Sequence, residues 1–267
     1  MKSLNATQRA ALVVAHPGHE LRVYGWLEAT RPRVFVMTDG SGRTGHSRLQ
    51  STARIIGAVG ASAGPVFGRF SDQLVYQATL RHDYGFFTAL ARELADQFVR
   101  ERIDYAVGDA EEGYNTAHDI CRLVINSAVE MASRERGIEI GNYDFLLTGR
   151  PEKCSDRLRA RAIWFQLDDA TVGRKLTAAD NYPELAAEVE AAIRENGASA
   201  FRVECLRPVG GGDGDGEAVR FAAEKPYYEQ YGEQQVAAGH YEKVISYREH
   251  IRPIAEALRE CVREASR

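Results

Sequence analysis

Three histidines carry the most chemical information in this chain: His16 and His19, spaced as H-x-x-H, and the distant His118. Imidazole nitrogen is a preferred zinc ligand, and a catalytic zinc site uses three protein ligands while leaving one position open for water or substrate. Two close imidazoles plus one remote imidazole satisfy that count if the fold brings them together. A lone loop histidine is more often a surface or hydrogen-bonding residue, so the elements around the three decide what the pattern means.

The elements are those of an α/β protein. Ala10 to Ala15 is a short valine-rich run that ends abruptly in His16-Pro17-Gly18, as a buried strand gives way to a loop. Glu20 to Ala29 carries apolar residues at helical spacing, Pro32 stops it, and Val34 to Met37 reads as a second strand. A helix over Ser47 to Val59, a strand near Pro65-Val66-Phe67, a helix over Phe86 to Arg100, a strand at Tyr105 to Val107 and a long helix from Ala117 to Arg134 continue the alternation. Repeated β-α units predict a Rossmann-like, mostly parallel sheet with helices on both faces. Further strands are expected at Phe145 to Thr148 and Ile163 to Leu167, and a helix at Tyr182 to Arg194. Residues 210–216, Gly-Gly-Gly-Asp-Gly-Asp-Gly, read as a flexible loop, and 236–264 as a largely helical C-terminal segment interrupted at Pro253. The whole of 1–267 reads as one domain.

In such a sheet, ligands bind beyond the carboxyl ends of the strands, where helix N-termini offer unpaired N–H groups. His16 and His19 follow the first strand, and His118 opens the helix after the strand at Tyr105. All three fall on that edge. Arg43 and Arg48 lie near it and suit a phosphate or carboxylate on a substrate, although exposed arginines are commonly just solvated. The tyrosine-rich stretch from Tyr227 to His240 is a possible pocket rim.

The segment Leu12-Val13-Val14-Ala15-His16-Pro17-Gly18-His19-Glu20 resembles the AHPDDE motif that opens the PIG-L or LmbE-like N-acetylglucosaminyl deacetylases, at the same strand end. Met37-Thr38-Asp39-Gly40, the following Arg48, and His118 at the head of a later helix agree with that family over roughly the first half of the chain. The resemblance implies a Rossmann-like fold, a divalent metal that is usually zinc, and hydrolysis of an N-acetyl group from an amino sugar or related glycoconjugate. His16 then matches the first metal ligand and His118 the closing His of the family's HPDH motif. His19 stands for the carboxylate ligand and keeps a competent donor.

Two catalytic positions depart from the pattern. Gly18 replaces the Asp that acts as general base, and Asn115 replaces the first His of HPDH, leaving an amide that can donate a hydrogen bond to an oxyanion but no proton. Tyr182 falls near the family's late His. Asp109 is the preferred replacement base, with Asp39 and Glu20 as second choices and Asp119 as a residue that could orient an imidazole. Ordinary structural roles compete for Glu20 and Asp119 at helix starts and for Asp39 in a turn. A three-imidazole zinc site also acidifies water without a strong base. The reading is therefore a metal-dependent deacetylase or amidohydrolase, the alternative being a non-hydrolytic biosynthetic or binding protein on the same scaffold. A nucleotide-binding protein has only Gly40-Ser41-Gly42 to support it, after the wrong strand and without a full G-x-G-x-x-G.

Composition narrows the partners. The 34 basic and 38 acidic residues are interspersed and the net charge is -4, which argues against nucleic acid and anionic membranes. A small-molecule substrate, with homo-oligomerisation left open, is expected. The four cysteines are far apart with no C-x-x-C pair, and the polar N-terminus lacks an apolar leader run, so a cytoplasmic location is expected.

Overall fold

The computed structural model describes residues 8–42, 45–210 and 224–265; Arg43 and nearly all of the 210–216 loop therefore lie outside the described residues. Its centre is a seven-stranded sheet in the order β3-β2-β1-β4-β5-β7-β6. The strands are β1 (Ala10–Val14), β2 (Arg33–Thr38), β3 (Ser62–Phe70), β4 (Tyr105–Asp109), β5 (Gly141–Phe145), β6 (Ile163–Gln166) and β7 (Val203–Pro208). The first five run parallel, and β7 is antiparallel to both β5 and β6. The mostly parallel α/β sheet expected from the alternation is present.

The central strand shows why. Every residue of β1 is buried, and alternate side chains serve two cores. Ala11, Val13 and Ala15 pack with α4 (Tyr84–Arg100), α5 (Thr116–Arg136) and a C-terminal helix through Phe87, Leu94, Ile120, Val124 and Ile254. Ala10, Leu12 and Val14 pack on the other side with Trp26 and Leu27 of α1 (Tyr24–Thr30) and with Ile55 and Ile56 of α2 (Leu49–Ala58). Chain order reverses between β1 and β4, and this opens a crevice at their carboxyl ends. Gly108 lets these strands approach: a Cβ there would stand 2.3 Å from the Val13 carbonyl.

Several elements differ from the sequence reading. The strand expected at Phe145 to Thr148 is β5, four residues earlier. Its half-polar Gly141-Asn142-Tyr143-Asp144 gives no apolar run because it pairs with the short antiparallel β7, while Leu147 and Thr148 turn away and donate their amides to Glu112. Residues 236–264 are largely helical as expected, but the break falls earlier than Pro253. The helix α9 (Tyr227–Ala237) ends at Ala238 and a loop follows; a π-helical turn at Tyr247–Ile251 then leads into α10 (Arg252–Glu264). Pro253 opens α10, where its missing N–H is not needed, and does not interrupt it.

The sequence reading has no counterpart for α3 (Asp72–Leu80), α6 (Asp156–Arg159), α7 (Asp169–Asp180) or β7, and does not read α9 as a helix. The helix expected at Tyr182 to Arg194 is α8 (Ala186–Asn196). A buried ion pair ties α7 to the sheet: Lys175 Nζ lies 2.8 Å from Glu204 Oε1, and Glu204 also accepts the Gly25 and Trp26 amides. Among the described residues no helix is long and apolar enough to cross a membrane.

Candidate functional site

The chain leaves β1 through His16-Pro17-Gly18 and turns into a 3-10 segment at His19–Val23. Gly18 makes the turn at φ +105°, a conformation that side chains other than glycine rarely adopt. Its amide donates to Glu20 Oε2 at 2.7 Å and to Thr52 Oγ1 at 3.1 Å. Thr52 in turn donates to Glu20 Oε1 at 2.6 Å and lies 3.0 Å from the Tyr182 hydroxyl. Burial pushes the Glu20 carboxyl above its ordinary value, opposed by the Thr52 and Gly18 hydrogen bonds. Glu20 and Tyr182 thus hold the turn from beneath.

The three histidines meet. Their ring centroids are 5.3 Å apart for His16 and His19, 5.1 Å for His16 and His118, and 4.6 Å for His19 and His118. All three pairs are edge-on, with interplanar angles between 66° and 90°. Residues a hundred positions apart are gathered because β1 and β4 are neighbours and the β4–α5 loop folds back over their ends.

Hydrogen bonds fix two of the tautomers. The Thr38 hydroxyl at the end of β2 donates to the Ala15 carbonyl at 3.0 Å, so its lone pair accepts from His16 Nδ1 at 2.8 Å. Asp72 Oδ1, at the first turn of α3, is 2.9 Å from the same nitrogen, near enough for charge attraction though not aligned for a hydrogen bond. Burial would raise the Asp72 carboxyl, but the His16 ring and the Gly42 amide hold it below the usual carboxylate range. On His19, Nδ1 lies 2.9 Å from Asp109 Oδ2, which also accepts the Ala15 amide at 2.7 Å. In both rings Nδ1 therefore carries a proton, so that in the neutral form Nε2 is the nitrogen with the free lone pair.

His118 differs: its Nδ1 is buried with no hydrogen-bond partner. Burial pushes its proton affinity well below the ordinary imidazole value, and the neighbouring His19, His16 and Arg48 push it further. Burial lowers His19 too, against the pull of Asp109. Both rings are thus kept neutral, the form in which imidazole binds a metal. Among the described residues no group of three or more His, Cys, Asp or Glu side chains is arranged to hold a metal ion as it stands. The trio is a set of donors within reach of one another, short of a formed coordination sphere.

The other expected residues divide. Asp109, fully buried, touches His19 and not the open cavity, and its Oδ1 has no partner. Asn115 lines the cavity and caps α5, its Oδ1 accepting the Ala117 amide at 2.8 Å. Arg48 also lines the cavity. Its Nε donates to the Gly40 carbonyl at 2.8 Å, and among the described residues its guanidinium forms no ion pair. Asp39 shapes its turn by accepting the Ser41 amide. Asp119 accepts the Glu112 and Gly113 amides and so braces the β4–α5 loop. Asp72 was missed altogether; Ser71-Asp72 directly after a strand, with Leu74 three residues past the serine, is the helix-start signal that could have found it.

The histidines help line a cavity of about 980 Å³, also lined by α7 and α8, by Tyr228 and Tyr231 of α9, and by His240. The Tyr227 to His240 stretch contributes to that lining.

No protein-family model and no curated protein matches this sequence. Solved structures do resemble it. A deacetylase triple mutant involved in the teicoplanin biosynthetic pathway superposes with a TM-score of 0.50 at 14% identity, covering 77% of this chain and 100% of the other. The antimicrobial A40926 pseudoaglycone deacetylase Dbv21 gives 0.48 at 16% identity, over 75% and 96%. The zinc-inhibited form of the teicoplanin deacetylase Orf2 gives 0.48 at 11%, over 77% and 100%. At these identities the first likeness speaks for architecture alone: the chain has the fold of that teicoplanin-pathway deacetylase.

Proposed function

We propose that this protein is a metal-dependent hydrolase, a deacetylase or amidohydrolase acting on an N-acyl amino sugar or related glycoconjugate. The observation that carries the reading is the edge-on trio of His16, His19 and His118, with Asp72 and Asp109 behind two of its rings. A carboxylate that fixes the outer nitrogen of an imidazole, as Asp109 does for His19, is a usual support of a metal-binding histidine. The unpartnered buried Nδ1 of His118 is the loose end that a bound ion would account for. Three imidazoles, each in its neutral form, would suit zinc or another divalent transition metal. The deacetylase architecture agrees with it.

Such an ion would supply Lewis acidity, polarising an amide carbonyl and acidifying water where the chain has no strong base. The residues divide the remaining work. Asp109 positions His19 and balances the charge behind it. Gly18 offers no carboxylate, and Glu20 is committed to the turn. Arg48, whose guanidinium forms no ion pair among the described residues, attracts an anionic group or the carbonyl oxygen of the substrate. Asn115 has its oxygen fixed by the α5 amide, which leaves its NH₂ to stabilise developing negative charge.

The test is elemental analysis of protein purified without chelator, wild type against His19→Ala, followed by assay for amine release from N-acetylated sugars with and without chelator. Near-stoichiometric zinc that is lost in the variant, with activity abolished by chelator, is expected. No metal in either protein after incubation with zinc, or full activity in metal-free protein, overturns the reading and leaves a binding or non-hydrolytic role.

A further inference from the structure

The cavity is much larger than the chemistry at the histidines requires. At about 980 Å³ it reaches the upper end of sites that enclose a drug-sized ligand, and such sites hold far more than one acetylated sugar ring. What lines the extra space is specific.

Five tyrosines form a continuous row. Tyr114, in the loop before His118, stacks on Tyr227 at 5.2 Å with planes 4° apart. Tyr227 lies 6.1 Å from Tyr231, Tyr231 packs edge-on against Tyr241 at 6.4 Å, and Tyr241 is 6.0 Å from Tyr76. Four separate segments thus contribute to one aromatic surface, and Tyr76, Tyr114, Tyr231 and Tyr241 line the cavity.

A second lining is aliphatic. Leu185, just before α8, and Val189, Ala192 and Ile193 follow the spacing i, i+4, i+7, i+8, which makes one stripe. No residue of α8 is fully buried: Leu185 and Val189 rest partly on the core beneath α2, and the whole stripe lines the cavity. A sugar chain would want paired polar groups along its length; this stripe offers none. Flat aromatic faces together with an aliphatic stripe match a planar apolar body.

We infer that the cavity binds an aryl-bearing ligand, its aromatic body held by the Tyr76–Tyr241–Tyr231–Tyr114 row and the α8 stripe, and its polar end at the histidines. That the polar end is an amide rests on the hydrolase reading; the aryl site does not.

Equilibrium binding therefore tests it without turnover. Titration calorimetry on the intact protein would compare the 4-nitrophenyl, octyl and methyl glycosides of N-acetylglucosamine. The aryl glycoside is expected to bind at least about tenfold more tightly than either of the others. Tyr231→Ala and Tyr241→Ala should each reduce that preference several-fold, whereas Tyr231→Phe, which keeps the ring, should retain it; circular dichroism checks that each variant is folded. Equal binding of aryl and octyl glycosides, no binding of the aryl glycoside, or a preference that survives both alanine variants in folded protein overturns the inference. Tyrosine-dependent aryl binding without hydrolysis of any glycoside would uphold the aryl site and count against the hydrolase. Hydrolysis with no aryl preference would do the reverse.

Discussion

His19 Nδ1 lies 2.9 Å from Asp109 Oδ2, and the same oxygen accepts the Ala15 amide at 2.7 Å. The carboxylate thereby connects the end of β4, the end of β1 and one imidazole of the site. Asp109→Asn keeps the shape but replaces a charged acceptor by an amide. Removal of such a support typically weakens metal affinity by about 10- to 100-fold. Competition with a chromophoric zinc chelator measures this directly; unchanged affinity would remove Asp109 from any role at the histidines.

Placing at Gly18 the carboxylate of the AHPDDE motif that this turn resembles should fail on its own. The backbone there is left-handed, and a Cβ would stand 2.2 Å from Leu185 Cδ1. Gly18→Asp is expected to destabilise the protein by about 1–3 kcal/mol through backbone strain alone. Adding Leu185→Ala relieves the contact but not the φ angle, so it should recover only part of the loss. Denaturant unfolding of both variants decides; a single substitution without cost would mean the loop rearranges readily.

Acid should weaken the metal-free protein. The folded proton affinities of His118 and His19 are lowered, so below about pH 6.5 the unfolded chain binds protons there that the folded chain refuses. Stability then falls as the pH drops below that value towards the folded values, by up to about 1.4 kcal/mol per pH unit for each imidazole. Urea unfolding in chelator between pH 7 and pH 5 should show a shallower decline for His118→Asn than for wild type. Equal slopes would show that His118 takes up its proton without hindrance.

The Lys175–Glu204 pair predicts a stability effect remote from chemistry. Glu204 is fully buried and accepts from Lys175, Gly25 and Trp26. Glu204→Ala leaves a buried ammonium without its partner, and losses of about 3–5 kcal/mol are usual in that case. Thermal or chemical denaturation measures it. A loss under about 1 kcal/mol would mean that Lys175 escapes to solvent.

Much of this was legible in the sequence because the residues obey one rule at a time. β1 is buried on both faces and reads as an unbroken apolar run; His16, His19 and His118 follow from their places after strands. What was hidden depends on tertiary context. β5 and β7 are short, half-polar strands whose pairing, not their composition, makes them strands. Asp72 reaches His16 only because α3 follows the end of β3 beside β2, and no local spacing connects them. Asp109 could be picked as a carboxylate near the site, but its contact with His19 depends on β1 and β4 being neighbours. The tyrosine row is assembled from four segments, of which only the Tyr227 to His240 stretch was conspicuous.

The shared Asp109 oxygen has a last consequence. Because it joins the Ala15 amide to His19, the support of the imidazole is part of the seam between the two central strands. That seam cannot open locally as a loop can. Amide exchange at Ala15 should proceed only through global unfolding, among the slowest in the chain, and the geometry around His19 should persist under partial denaturation until the whole sheet is lost.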